Sequence, residues 1–233
     1  MNVILTTFLT NYKYPFFNCY QKPELDGYFN DWYKSVLKSG LNAVILIDEP
    51  NEDAIRKFTT SKIKFVVVET KGVNQLDYRW ELYYNYLLEN TQIDAFFTMD
   101  ISDSTILKDP FGFINECSIY IGDELSTLSN SWIERRVNLI NNVACTEMYS
   151  KIKDKQLLNC GLLGGYRETL LPLLYDVRQK LNEYNCKTDT IDMVVFNELL
   201  YSKYYSKVCH GMPVNTKFWK WEFGNEFCWF QHK

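Results

Sequence analysis

Four short apolar runs in the first hundred residues (3–7, 41–47, 63–68 and 93–99) alternate with stretches of helical spacing. Runs this short, rich in β-branched and aromatic residues, read as buried strands rather than as helices. The segments between them read differently. Residues 28–39 place Tyr28, Trp32 and Val36 on one face and stop at Gly40, residues 53–58 form a short helix, and residues 74–90 form a long one. Strands alternating with helices predict a three-layer α/β/α domain around a mainly parallel sheet, because parallel neighbours need a crossover that covers a sheet face.

The second half is less regular. Residues 117–122 read as another strand, while residues 123–142 are polar with scattered hydrophobics and show no clear period. Gly164 and Gly165 precede a helix over residues 168–184, and a further helix spans residues 190–204 with Thr188 or Asp189 as its N-cap. Residues 208–213 form a short apolar strand that ends in a turn. No repeat, low-complexity run or linker interrupts the chain, so a single domain over residues 1–233 is expected.

Composition narrows the function. Hydrophobic residues make up 46% and charged residues 23%, an ordinary globular balance, and the net charge of -4 supplies no reason to expect nucleic acid. No apolar run is long enough for a transmembrane segment. The first residues lack a basic leader followed by an apolar stretch, so no secretory signal is expected. Seven cysteines without a C-x-x-C pair argue against a disulfide framework or a cysteine-rich zinc site, and the cytoplasm is the expected compartment. Abundant aromatics, 17 Tyr, 15 Phe and 6 Trp, suit packing and stacking on planar or sugar rings, and leave a homodimer open.

The strand ending at Met99 runs straight into Asp100 and, three residues on, Asp103. Ligands of open α/β sheets bind at the carboxyl ends of the strands. Two carboxylates held close there repel one another unless positive charge lies between them, which points to a divalent cation and through it to a phosphorylated ligand. His210 ends another short strand and would complete an oxygen and nitrogen donor set suited to Mn²⁺ and tolerant of Mg²⁺. His232, the other histidine, lies one residue from the terminus and is expected in solvent. The segment Asn159, Cys160, Gly161, Leu162, Leu163, Gly164, Gly165 is glycine-rich and reads as entering a helix. It fits neither a P-loop nor a dinucleotide fingerprint, but its glycines allow close approach of backbone to ligand, and Asn159 offers a donor and an acceptor. Arg79 and Lys217 are candidate phosphate partners. Asp192, in the first turn of its helix, could bind hydroxyls or act as a base.

The order of these pieces resembles the nucleotide-sugar-dependent glycosyltransferases of the GT-A fold, with a more distant similarity to the glycogenin-like family. The resemblance rests on Thr98, Asp100 and Asp103 followed by Pro110 and Phe111, and on Asn159, Gly161, Gly164 and Gly165. It continues with Asp192 and Asn197, and with His210 and Gly211 ahead of Lys217, Phe218 and Trp219. It implies a nucleotide-binding half over residues 1–110 and an acceptor and sugar half over residues 111–233. It also implies a metal-dependent transferase using a nucleotide-sugar donor, with a UDP-sugar expected, and a glycan or protein acceptor. Asp100, Asp103 and His210 would hold Mn²⁺ or Mg²⁺; Thr6 and Thr7 would cradle the nucleoside, and Arg79, Asp100 and Lys217 would serve the donor. Asn159 and Gly161 would lie near the donor sugar or acceptor, and Asp192 would contact the transferred sugar or serve as base.

Two departures stand out. The wider fold's metal motif has one residue between its aspartates, whereas Asp100 and Asp103 have two, and Met193 stands where a Gln is usual. By the resemblance Asp103 is the direct ligand, while Asp100 reaches the metal directly, through a water, or binds the ribose instead. Two other functions remain open: a sugar-nucleotide nucleotidyltransferase and a non-catalytic sugar-binding or scaffold domain. Residues 123–142, with Trp132, Arg135 and Arg136, are the expected acceptor or dimer surface.

Overall fold

The four apolar runs of the first hundred residues become neighbouring strands of one sheet. The computed structural model describes residues 1–10, 13–14, 19–20, 27–49, 52–70, 74–216 and 227–232. The first half contains β1 (Asn2–Phe8), β2 (Lys13–Tyr14), β3 (Cys19–Tyr20), α1 (Asn30–Ser39), β4 (Ala43–Ile47), α2 (Glu52–Phe58), β5 (Ile63–Val67), α3 (Gln75–Glu89), β6 (Ala95–Met99) and β7 (Ser104–Ile106). The second contains β8 (Ile119–Thr127), α4 (Ser131–Ile140), α5 (Val143–Ile152), β9 (Gln156–Tyr166), α6 (Arg167–Tyr184), α7 (Asp192–Leu199), β10 (Val208–His210) and β11 (Phe230–His232). The main sheet has seven strands in the order β10-β8-β9-β6-β1-β4-β5. β9 is antiparallel to both neighbours and every other pairing is parallel.

Alternate residues of the central strands feed two cores, which is the period-two signature of a sheet covered on both sides. Val3, Leu5, Val44, Leu46 and Phe96 pack with residues of α3, α4, α5, α6 and α7. Ile4, Phe8, Ala43, Ile45, Phe97 and Met99 pack with Trp32 and Val36 of α1 and Phe58 of α2. α1 ends where the sequence places its stop, with Gly40 left-handed at φ +69° and its N–H donating to Val36 and Leu37. The Asn74 side chain caps α3 by accepting from the Leu76 N–H at 3.1 Å. Among the described residues, no helix is long and apolar enough to cross a membrane.

The second half departs from expectation in three places. The glycine-rich segment from Asn159 to Gly165 leads into the expected helix, α6, but is not itself a turn; it lies inside β9, in the middle of the sheet. Glycine is needed there for packing: a Cβ on Gly164 would overlap the Phe97 ring of β6, and Gly165 adopts φ +144°. Gly164→Ala is therefore expected to destabilise the fold by about 3 kcal/mol, the upper range for overpacking, read as a lower urea midpoint. An unchanged midpoint would show that Phe97 moves aside freely.

Residues 123–142, which show no clear period, contain the end of β8 and all of α4, capped by Asn130 through the Trp132 N–H at 2.8 Å. Arg136 of α4 is not at the surface. It is wholly buried, donating from Nη2 to Asp189 at 2.9 Å and from Nε to the Thr190 carbonyl at 2.8 Å. An acceptor cannot reach it. The expected 190–204 helix begins two residues later as α7, followed by a wider π turn over Leu200–Tyr204. Neither Thr188 nor Asp189 supplies its cap. Asp77 of α3 does so from a distance, accepting from the N–H groups of Ile191 at 3.0 Å and Asp192 at 2.9 Å.

Asp77 carries a pH signature. Burial and the nearby Asp192 carboxylate push its carboxyl up to about 7 from an ordinary 3.8, against the pull of the donors it caps. The folded chain thus holds this proton more tightly than the unfolded chain, and the contribution to stability declines as pH rises from about 4 to about 7. Asp77→Asn should flatten that part of a stability profile from denaturant melts. Parallel wild-type and variant profiles would contradict the assignment.

Candidate metal centre and adjoining pocket

β6 ends at the carboxyl edge of the sheet, and the Asp100 N–H donates to the Gly161 carbonyl of β9 at 2.9 Å, so the carboxylate emerges at the β6–β9 seam. The chain turns through Asp103 into β7, which pairs antiparallel with β11 and sets His232 opposite Ser104. That pairing delivers the imidazole to the aspartates. His232 is only 2% exposed, and its Nε2 lies 3.8 Å from Asp100 Oδ2 and 4.0 Å from Asp103 Oδ1. Among the described residues, Asp100, Asp103 and His232 form a group whose ligand atoms all lie within 4.8 Å of one another, so the group can hold a metal ion. Two carboxylates and one imidazole fit a hard or borderline divalent cation. Gly161 makes the room: a Cβ there would sit 2.5 Å from Asp100 Oδ2 and 2.8 Å from His232 Cε1.

His210 does not join this group. It ends β10, separated from β6 by β8 and β9, and its Nδ1 lies 3.1 Å from Asp123 Oδ2. His232, expected in solvent, takes the place assigned to it. The tail Cys228, Trp229, Phe230, Gln231, His232 is an apolar run ending in polar residues, but nothing local in it marks β7 as its partner.

Charge holds the site together. Arg79 of α3, 6% exposed, reaches two carboxylates: Nη1 pairs with Asp100 Oδ1 and Nη2 donates to Asp192 Oδ2 at 2.8 Å. Burial works against ionisation of Asp100, but Arg79 and His232 outweigh it and hold the carboxyl down at about 2. Burial likewise disfavours the imidazolium of His232, yet Asp100, Asp103 and Glu124 raise its pKa above the ordinary value. The carboxylates thus draw positive charge to themselves, and a metal ion ligated by His232 would displace the proton from its imidazole.

A cavity of about 190 Å³ adjoins these residues, lined by Thr6, Thr7, Leu9, Tyr28, Leu76, Arg79, Met99, Asp100, Ile101, Ser102 and Asp103. Five candidates picked from sequence, Thr6, Thr7, Arg79, Asp100 and Asp103, therefore share one pocket. Thr6 donates to the Met99 carbonyl at 2.7 Å, tying the ends of β1 and β6 together. Asn159 and Gly161 border the site from β9; the Asn159 side chain accepts from the Gly161 N–H at 2.8 Å and donates to Glu124 at 3.0 Å. Glu124 escaped the sequence reading because its segment showed no period. Asp192 is 3% exposed and sits behind Arg79, accepting also from Trp80 Nε1 at 3.2 Å and the Met193 N–H at 2.7 Å. Lys217 lies outside the described residues.

The sequence matches no protein-family model and no curated protein.

Proposed function

We propose that the chain is a metal-dependent glycosyltransferase of GT-A-like fold, acting in the cytoplasm on a nucleotide-sugar donor, with a UDP-sugar expected. The observation that carries this reading is the meeting, at one sheet edge, of a pocket flanked by Thr6 and Thr7, a buried arginine, and a metal-competent group of two aspartates and a histidine. A cleft, a cation and a fixed guanidinium together suit a nucleoside diphosphate, whose oxygens need positive charge on more than one side.

Bound there by Asp100, Asp103 and His232, Mn²⁺ or Mg²⁺ would offset the charge of the diphosphate. Arg79 supplies fixed positive charge beside it. Its guanidinium lines the pocket, so a phosphate oxygen bound there would lie beside fixed positive charge. As the anomeric carbon–oxygen bond breaks, the electron pair stays with the diphosphate, and Arg79 faces the growing charge. Asp192 acts through Arg79 as a positioning residue, because its oxygens are occupied by protein donors. The acceptor hydroxyl, on a glycan or a protein, forms the new bond to the anomeric carbon as the old one breaks, and its proton passes to solvent.

A thermal-shift screen of nucleotide sugars with and without Mn²⁺ tests the proposal. A matching donor at a hundred times its Kd adds about 2.7 kcal/mol, a rise of several degrees, and only with the metal. Asp103→Ala should remove that rise. A shift produced by free sugar alone, indifferent to metal and nucleotide, would favour a sugar-binding scaffold, and pyrophosphate release would favour a nucleotidyltransferase.

A further inference from the structure

Past the metal group, the same sheet edge carries a second pair of titratable side chains. His210 Nδ1 meets Asp123 Oδ2 at 3.1 Å. Asp123 is 1% exposed, and its backbone is clamped by the buried Asn215 side chain, which accepts from the Asp123 N–H at 3.3 Å and donates to its carbonyl at 3.0 Å. The turn after β10 keeps the pair close: Gly211 sits at φ +73°, and a Cβ there would approach Asp123 Oδ2 to 3.3 Å. A carboxylate is costly to bury, and one placed against an edge imidazole fixes the ring and its tautomer. With Nδ1–H directed at Asp123, Nε2 becomes an acceptor. The His210 side chain is 29% exposed, and Nε2 has no hydrogen-bond partner among the described residues.

The turn that leads into β10 carries exposed aromatic surface. Tyr205 is 51% exposed, and its ring centroid lies 5.3 Å from that of Tyr201. Tyr201 in turn donates to the Gln156 carbonyl at 2.6 Å, and burial, then Tyr205 and Asp123, push its hydroxyl pKa up. An oriented hydroxyl acceptor, with an exposed ring five residues before it in the chain, suits the two faces of a sugar, one carrying hydroxyls and the other apolar C–H groups. The position fits as well. β10 lies three strands from β6, roughly 14 Å at ~4.8 Å per strand, too far for a shared metal ion but within the span of a ligand reaching the donor sugar.

We propose that His210, oriented by Asp123, binds a hydroxyl of a saccharide acceptor whose apolar face rests on Tyr205. This rests on the glycosyltransferase reading and selects the glycan over the protein as acceptor.

Histidine-selective NMR on the full chain tests it. There are two histidines, and His210→Gln assigns their signals. Addition of UDP with Mg²⁺ should move the His232 signal, which checks the donor reading by itself. Methyl β-D-glucopyranoside, methyl β-D-galactopyranoside and methyl α-D-mannopyranoside are then titrated with UDP and Mg²⁺ present. At least one should move the His210 signal saturably, and Asp123→Asn or the surface variant Tyr205→Ala should weaken it at least about tenfold, as expected for a lost contact. No saturable response at His210 to any of the three, or a response indifferent to both variants, overturns the subsite. A silent His232 with a responsive His210 would instead sink the donor reading.

Discussion

Arg79→Met is expected to lower stability by about 3–5 kcal/mol, the range for removing one partner of a buried ion pair. The size follows from what the guanidinium holds. Asp192, 3% exposed, keeps only neutral donors once Arg79 is gone, and Asp100 loses the main influence that keeps its carboxyl at about 2. For a chain of this length the loss corresponds to a fall in Tm on the order of 10 °C. Arg79→Lys should recover only part of it, since one ammonium cannot span two carboxylates as the guanidinium fork does. Adding Asp192→Asn to Arg79→Met should restore much of the loss, because the stranded charge is then removed. Urea melts of the four proteins provide the measurement. A single variant within 1 kcal/mol of wild type, the usual worth of an exposed pair, would mean that Arg79 does not hold these carboxylates.

The second large effect belongs to His232. Substituting a residue that merely supports a metal ligand costs 10–100-fold in affinity or activity, so loss of the imidazole itself in His232→Ala should weaken Mn²⁺ binding by at least about a hundredfold. His210→Ala should leave Mn²⁺ affinity within about threefold, because β8 and β9 separate it from Asp100. Paramagnetic resonance of free Mn²⁺ measures both. The reverse pattern, with His210 essential and His232 dispensable, would remove β11 from the site.

What could be read in advance follows the range of the interactions. β1, β4, β5 and β6 announce themselves because each is a local apolar run, and Asp100 and Asp103 stand out because such a run ends in them. Thr6 and Thr7, near the end of β1, were singled out by the resemblance alone. His232 could not be placed from local pattern, since it reaches the aspartates only through the pairing of β11 with β7, where Thr105 and Gln231 are 126 positions apart. Proximity to the terminus argued for solvent, and a distant strand decided otherwise. β9 was obscured by its glycines, which usually punctuate chains but here let a strand pass Phe97. The cap of α7 was hidden for a similar reason, because Asp77 supplies from α3 what a neighbouring side chain normally provides.

Calorimetric titration of UDP into the wild-type chain, once with Mn²⁺ and once with a chelator, tests the central claim most directly. Saturable binding with Mn²⁺ that weakens at least about a hundredfold on chelation is expected, since the diphosphate would then face Asp100 and Asp103 without the cation that reconciles them. UDP binding of equal strength in the chelator, or no UDP binding in either condition, would contradict a metal-dependent nucleotide-sugar site.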